Sequence, residues 1–336
     1  MTSQDTLTRL QDCIAKGYGR RRLAKELGVT PHKARQLMQD FIPPKQIEVK
    51  AKKTAIKLDE SKIIKSKPSN STTRIELVSN AQIDETPGSV RVRPISLRVA
   101  CVSDIHYPYQ DIVAEEIALS YIKDWKPDIL VWNGDIFDFY AVSNYEKSIK
   151  KKMNIQEEID YGHSRMSMWV KELGETQHYF RRGNHETRLN RMIMKNAPAL
   201  EALRSTAIEQ NIDFDSIGVK YIPDHQDLHI GNMMFIHGSQ VRRHGGNSSR
   251  GHYEQYGCSL LMGHTHRLAV TYKRNKFGTH TLVENGTLCD FDVEYAQFPD
   301  WQQGFTCLQY DGDDFSVTQH AIINHKLIAD GRVYVS

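Results

Sequence analysis

Leu97-Arg98-Val99-Ala100-Cys101-Val102-Ser103-Asp104-Ile105-His106 opens on a short apolar run and ends on a carboxylate and an imidazole two residues apart. The run has the length and residue types of a buried strand, and the polar end follows it at once. The same grammar recurs downstream. Ile129–Trp132 runs into Gly134-Asp135-Ile136-Phe137-Asp138, and Tyr179–Arg181 into Gly183-Asn184-His185-Glu186. Later, Met233–Ile236 leads to His237-Gly238, and Ser259–Met262 to Gly263-His264-Thr265-His266. Ala114–Lys123, Met153–Leu173 and Thr187–Lys195 have helical spacing between the first strands, and further strands are expected at Asp227–Ile230, Leu268–Lys273 and His280–Asn285. Strand–helix alternation that gives way to hairpins predicts an α/β fold built on two sheets.

Ligands of open α/β sheets gather at the carboxyl ends of the strands, where each of these polar clusters falls. Asp, His and Asn offer hard oxygen and borderline nitrogen donors without thiolate. That set suits manganese first, with iron, zinc and nickel as alternatives, in an open site. A pair of divalent ions about 3.5–4 Å apart needs a carboxylate between them. Glycines beside the clusters allow tight turns and close approach of a phosphate.

The ordered blocks Asp-x-His, Gly-Asp-x-x-Asp, Gly-Asn-His-Glu, His-Gly and Gly-His-x-His resemble the calcineurin-like metallophosphoesterase superfamily. The resemblance covers about Leu97 to Asn285 and implies an αββα sandwich, two packed mixed β-sheets flanked by helices. It further implies two divalent metal ions and hydrolysis of a phosphoester by a hydroxide bridging them. By that likeness Asp104, His106, Asp135 and His266 hold the first metal, and Asp135 bridges to a second held by Asn184, His237 and His264. His185 matches the family's proton donor to the leaving oxygen, and Asp138 its carboxylate partner. Glu186 reads as a residue that ties down its loop. Arg182, and Arg242, Arg243, His244 and Arg250 in a Gly/Ser-rich stretch, are candidates to hold substrate phosphates, with a salt bridge or a solvated charge cluster as the alternative.

The match is to no single branch. Arg182-Gly183-Asn184-His185-Glu186 is similar to the form in serine/threonine protein phosphatases and diadenosine polyphosphate hydrolases, but Phe139 stands where those carry arginine. The repair-nuclease branch more often has histidine at the position of Asp138.

The 336 residues carry a formal charge of +3 that hides an asymmetry. Residues 1–67 hold 16 Lys/Arg against 7 Asp/Glu, and residues 68–336 hold 28 against 34. A basic head on an acidic body points to a polyanionic partner. Within the head, Arg20–Leu27, the break at Gly28-Val29-Thr30 and a helix launched at Pro31 resemble a helix-turn-helix of bacterial or phage type, with a supporting helix at Thr6–Lys16. His32, Lys33, Arg35 and Gln36 then project toward a DNA groove. The expected division is a helix-turn-helix-like segment at 1–42, a basic linker with possible short strands at 43–94, and the hydrolase at 95–336. Five scattered cysteines without a CxxC pair argue against a disulfide framework or zinc knuckle. No apolar run reaches membrane-spanning length, so a cytoplasmic protein with no membrane partner is expected.

The first functional expectation is a phosphodiesterase or nuclease acting on DNA or nucleic-acid ends. The alternatives are a phosphomonoesterase localised by the basic head, and a DNA-binding regulator with an inactive hydrolase domain.

Overall fold

The computed structural model describes residues 74–78, 81–143, 153–200, 203, 206–291 and 299–336. The helix-turn-helix expectation, with His32, Lys33, Arg35 and Gln36, lies outside the described residues.

Sixteen strands and five α-helices build the described part. The first polar-ended run forms β4 (Ser96–Val102), and its parallel neighbours are β5 (Ile129–Asn133), β6 (Gln177–Arg181) and β7 (Val219–Ile222). On the other side β4 pairs antiparallel with β13 (Gly304–Asp311), and β13 with β14 (Asp314–Ala321), completing a six-stranded sheet. The second sheet has eight strands. Its central members are β8 (Asp227–Ile230), β9 (Met233–Ile236), β10 (Ser259–Met262) and β12 (Gly278–Asn285), with β11 (Leu268–Asn275) at one edge. At the opposite edge stand β3 (Ser89–Pro94), β2 (Ala81–Thr86) and β1 (Arg74–Val78). These three strands lie within the stretch 43–94, where the sequence suggested short strands at Arg74–Val78 and Ser89–Arg93. Val90 and Val92 alternate with Arg91 and Arg93, so β3 buries one face and pairs with β8.

Period-two alternation assigns each strand of the first sheet to two cores. Leu97, Val99 and Cys101 face the second sheet, where they meet Leu228, Phe235, Leu261 and Val283. Ala100 and Val102 face the helices α1 (Ile112–Trp125) and α2 (Ile155–Leu173), among Ile117, Trp132 and Trp169. The outer face of the second sheet, with Ile236, Leu260 and Met262, is covered by α5 (Asn247–Tyr256) through Tyr253. Helix, sheet, sheet, helix is the αββα sandwich. Two shorter helices, α3 (Arg188–Asn196) and α4 (Ile208–Ile212), follow β6. Caps set the long helices. The Asp111 side chain accepts from Ala114 N at 3.0 Å, and Asn154 with Glu157 forms a capping box at the start of α2.

Candidate metal centre

Each polar cluster emerges past a strand's carboxyl end. Beyond β4 and β5 the ladder continues through Asp104 N to Gly134 O and His106 N to Asp135 O, both 3.0 Å. These bonds bring the first two loops side by side. Asp104, His106, Asp135, His264 and His266 all adopt positive φ, between 50° and 70°. Left-handed backbone is rare outside glycine, and its concentration here marks a site whose surroundings over-determine it. Glycine is required at two neighbours. A Cβ on Gly183 would stand 2.2 Å from Asp135 Oδ1, and one on Gly263 2.5 Å from Asp104 Oδ2.

Two groups of donors result. Asp104, His106 and His266 converge, with His106 Nε2 and His266 Nε2 3.1 Å apart and His266 Nε2 3.3 Å from Asp104 Oδ1. Beside them Asp135, His237 and His264 converge, with His237 Nε2 3.1 Å from Asp135 Oδ2. Each group can hold a cation. His237 Nδ1 donates to Asn133 O at 2.9 Å, which aims Nε2 at the site. Asn184 Oδ1 is buried and makes no hydrogen bond, and His237 Nε2 meets only the Asp135 carboxylate. Buried donor atoms of this kind, aimed where carboxylates gather, fit divalent cations.

The electrostatics agree with that fit. Burial opposes ionisation of Asp104 and Asp135, yet the imidazoles around them hold both carboxyls below the ordinary range. Burial likewise opposes charge on His237, but Asp135 raises it to about 9. His266 rises to about 10 against the same penalty, under the influence of Cys289 and Asp104. His106 and His264, desolvated and next to other imidazoles, fall to about 4. Protons on two histidines thus balance carboxylates in a pocket that calls for positive charge.

A third group shares His106. Asp138 Oδ1 accepts from His106 Nδ1 at 3.0 Å and from His185 Nδ1 at 2.9 Å. One carboxylate therefore orients two imidazoles, where the sequence suggested only His185. Burial works against its charge, but the two imidazoles keep its carboxyl far below the usual range.

Four supporting residues carry more than their motifs disclose. Glu186 is fully buried and accepts from Gly183 N (2.6 Å), Asp135 N (3.0 Å), Ile136 N (2.7 Å) and Phe137 N (3.0 Å). Arg188, which no motif marks, donates from Nη2 to His185 Nε2 and from Nη1 to Asp138 O, each at 2.8 Å. Its only signal is its place three residues after His185, at the start of α3. Glu284, near the end of β12, accepts from Ser248 N, Ser249 N and Thr265 Oγ1 at 3.0–3.1 Å, tying α5 to the His264–His266 loop. The Trp301 ring stands 4.2 Å from that of His266.

The arginine candidates fare differently. Arg182 is committed to a bidentate ion pair with Asp224, one bond measuring 2.6 Å, so its guanidinium belongs to the salt-bridge alternative. Arg242, Arg243 and His244 are exposed just before α5 and Arg250 is exposed within it; Arg242 meets Gln240 and, through its backbone, Ser248 and Arg267. Phe139, where phosphatase relatives carry arginine, is fully buried in the helix-side core.

Residues 97–268, just over half the chain and enclosing all seven expected ligands, match the family model of the calcineurin-like phosphoesterases. The chain belongs to that family. It is thus a metal-dependent phosphoester hydrolase. The phosphoesterase is 26% identical over 256 residues to the Gene 54 protein of Mycobacterium phage L5, an overlap covering 71% of this chain and 99% of that protein. The phage D29 Gene 54 protein is 25% identical over 256 residues, with the same coverage. Among solved structures it is similar to Vps29 from Entamoeba histolytica complexed with zinc: 14% identity, 70% of this chain, 96% of the other, TM-score 0.37. Vps29 from Cryptosporidium parvum gives 17%, 72%, 96% and 0.36. Among the described residues no helix is long and apolar enough to cross a membrane.

Proposed function

We propose that this phosphoesterase is a phosphodiesterase acting on nucleic acid, with a basic N-terminal head that brings DNA to the catalytic domain. The observation that carries the substrate class is the charge asymmetry: +9 over residues 1–67 against −6 over residues 68–336. Counterion release from a polyanion drives binding to such a head, and tethering raises the substrate's local concentration.

In this reading Asp104, His106 and His266 hold one divalent ion, Asn184, His237 and His264 a second, and Asp135 serves both. Manganese is the first choice of metal for these oxygen and imidazole donors. Bound there, the ions supply Lewis-acid charge to the phosphoryl oxygens and a strong nucleophile at neutral pH. The chain's own residues handle the leaving group. Asp138 takes the Nδ1 proton of His185 in a hydrogen bond and stabilises positive charge on the ring, so Nε2 can carry a proton to the departing oxygen. Arg188 now donates to that Nε2, and must turn its guanidinium to the phosphoryl group when substrate arrives.

The test is turnover by the full chain with Mn²⁺ on a bis-aryl phosphodiester, an aryl phosphomonoester, and single- and double-stranded DNA. Cleavage of the diester and of DNA is expected. Turnover of the monoester alone overturns the nuclease reading in favour of a phosphatase localised by its head. A metal-loaded protein inert on all four would be the DNA-binding regulator instead. DNA affinity that survives removal of residues 1–45 would overturn the role given to the head.

A further inference from the structure

Residues 239–280 hold seven Lys/Arg and a single acid, Glu254, whereas the rest of residues 68–336 holds 21 Lys/Arg against 33 Asp/Glu. The fold gathers that basic stretch on one edge. β11 leaves the metal centre two residues after His266, forms the edge of the eight-stranded sheet, and turns at Lys276-Phe277 into β12. Eight residues of strand reach about 26 Å from the centre. Along the outer half stand Tyr272, Lys273, Arg274, Lys276 and Phe277, all exposed. Tyr272 is 62% and Phe277 80% accessible, and Lys276 Nζ sits 4.9 Å from the Phe277 ring centroid.

The loop carrying Arg242 and Arg243 packs onto the same strand. Gly246 comes so close that a Cβ would meet Thr271 Cγ2 at 2.5 Å, and Arg267 Nη1 donates to Arg242 O at 2.7 Å. Farther out, Asn275 Nδ2 donates to Tyr253 Oη of α5 at 2.6 Å, which anchors the hairpin end. Two large exposed aromatics bracket three cations on an anchored arm that starts at a phosphoester-hydrolysing centre, with Tyr272 and Arg274 on one face of the strand and Lys273 on the other.

We propose that the β11–β12 hairpin, with Arg242, Arg243 and Arg250 beside it, is a binding track for a single-stranded polynucleotide leading into the metal centre. The inference rests on the phosphodiesterase reading and deepens it. Cations spaced along the arm meet successive phosphates, and Tyr272 and Phe277 offer stacking faces to bases. A paired duplex keeps its bases inside, so exposed rings select single strands, frayed ends or gaps. The bland account of the same residues is an edge strand guarded against pairing by its lysines. That account gives the two aromatics nothing to do, and it predicts no effect on turnover.

Two measurements on the full chain with Mn²⁺ separate the possibilities. The first compares kcat/KM on a single-stranded oligodeoxynucleotide with kcat/KM on a bis-aryl phosphodiester, for wild type, K273E/R274E/K276E and Y272A/F277A. The oligonucleotide-to-diester ratio should fall about tenfold for each ring removed. The charge variant should also flatten the salt dependence of oligonucleotide binding, by about 0.7 in log–log slope for each phosphate it no longer neutralises. The second is photo-crosslinking of a bromouracil-substituted oligonucleotide, mapped by mass spectrometry, which reads proximity whether or not hydrolysis occurs. Crosslinks at Tyr272 or Phe277 are expected. Crosslinks confined to other segments, or an unchanged ratio in both variants, overturn the track. Binding to phosphatidylserine vesicles that the charge variant abolishes, with the oligonucleotide ratio unchanged, would reassign the arm to a membrane surface. Crosslinks at the hairpin without any DNA cleavage by wild type would refute the nuclease reading and leave the track standing.

Discussion

Replacing Glu186 by glutamine removes a charge without changing a shape, and the structure says what must follow. Oε2 accepts from Asp135 N and Gly183 N, and Oε1 from Ile136 N and Phe137 N. A carboxylate can satisfy all four N–H groups; an amide cannot. Whichever way the glutamine side chain is turned, its NH₂ faces two backbone donors that then have no acceptor. Each buried unpaired donor costs about 1–3 kcal/mol, so E186Q should lose about 2–6 kcal/mol of folding stability. That is a large share of the roughly 5–15 kcal/mol typical of a domain. The damage is local as well, because the four N–H groups belong to the loops that present Asp135 and Asn184. Urea unfolding of the metal-free full chain reads the stability, and titration with Mn²⁺ reads the site. Both should weaken together. An E186Q protein as stable as wild type, with unaltered metal affinity and slow turnover, would refute the structural role and make Glu186 a participant in the chemistry.

His185→Ala should keep both metal affinity and stability while turnover falls about 10²–10⁴-fold, as measured by steady-state hydrolysis beside metal titration. Asp138→Asn, whose carboxylate also orients His106, should lower metal affinity about 10–100-fold in addition to slowing turnover. Gly183→Ala should lose stability and metal affinity together, because the new methyl would meet both Asp135 Oδ1 at 2.2 Å and the Asp135 backbone nitrogen at 2.5 Å; thermal melting beside calorimetric titration reads both. Glu158, desolvated and close to Asp138, has its carboxyl pushed up to about 7. A raised acid favours the folded state most below its unfolded pKa near 4.3, so that contribution, up to about 3 kcal/mol, is lost as pH rises through 7. Urea midpoints across that window should fall in wild type, and more shallowly in Glu158→Gln.

Much of this was legible in the sequence because strand ends are where apolar runs stop. β8, β9 and β10 have the very bounds their apolar runs suggest, and the Asp and His side chains after β4, β5, β6, β9 and β10 stand in three close groups. β13 and β14 were not legible. Thr306, Gln309, Ser316 and Gln319 interrupt their apolar residues, and only pairing with β4 makes the first of them a strand. Arg182 misled because a charge next to a motif says nothing about its direction, and Asp224, forty-two residues on, captures it. Arg188 was missed for the converse reason. It lies outside every block, and only the helical turn of α3 swings it back onto His185.

The positive-φ residues explain why two buried carboxylates that bind no substrate are present. Backbone held in the left-handed region costs of order 1–3 kcal/mol at each residue, and five of the seven expected ligands are held so. Such a conformation persists only where the surroundings leave no alternative. Glu186 clamps the Asp135 turn through three consecutive N–H groups, and Glu284 clamps the His264–His266 turn through Thr265 while seating the first turn of α5. Asp104 closes the frame by accepting from His264 N at 2.9 Å. The strain and the clamps are therefore one device. Donor atoms that would repel or ignore one another in a relaxed chain are held together before any cation arrives, so ion binding need not supply the ordering of its own site.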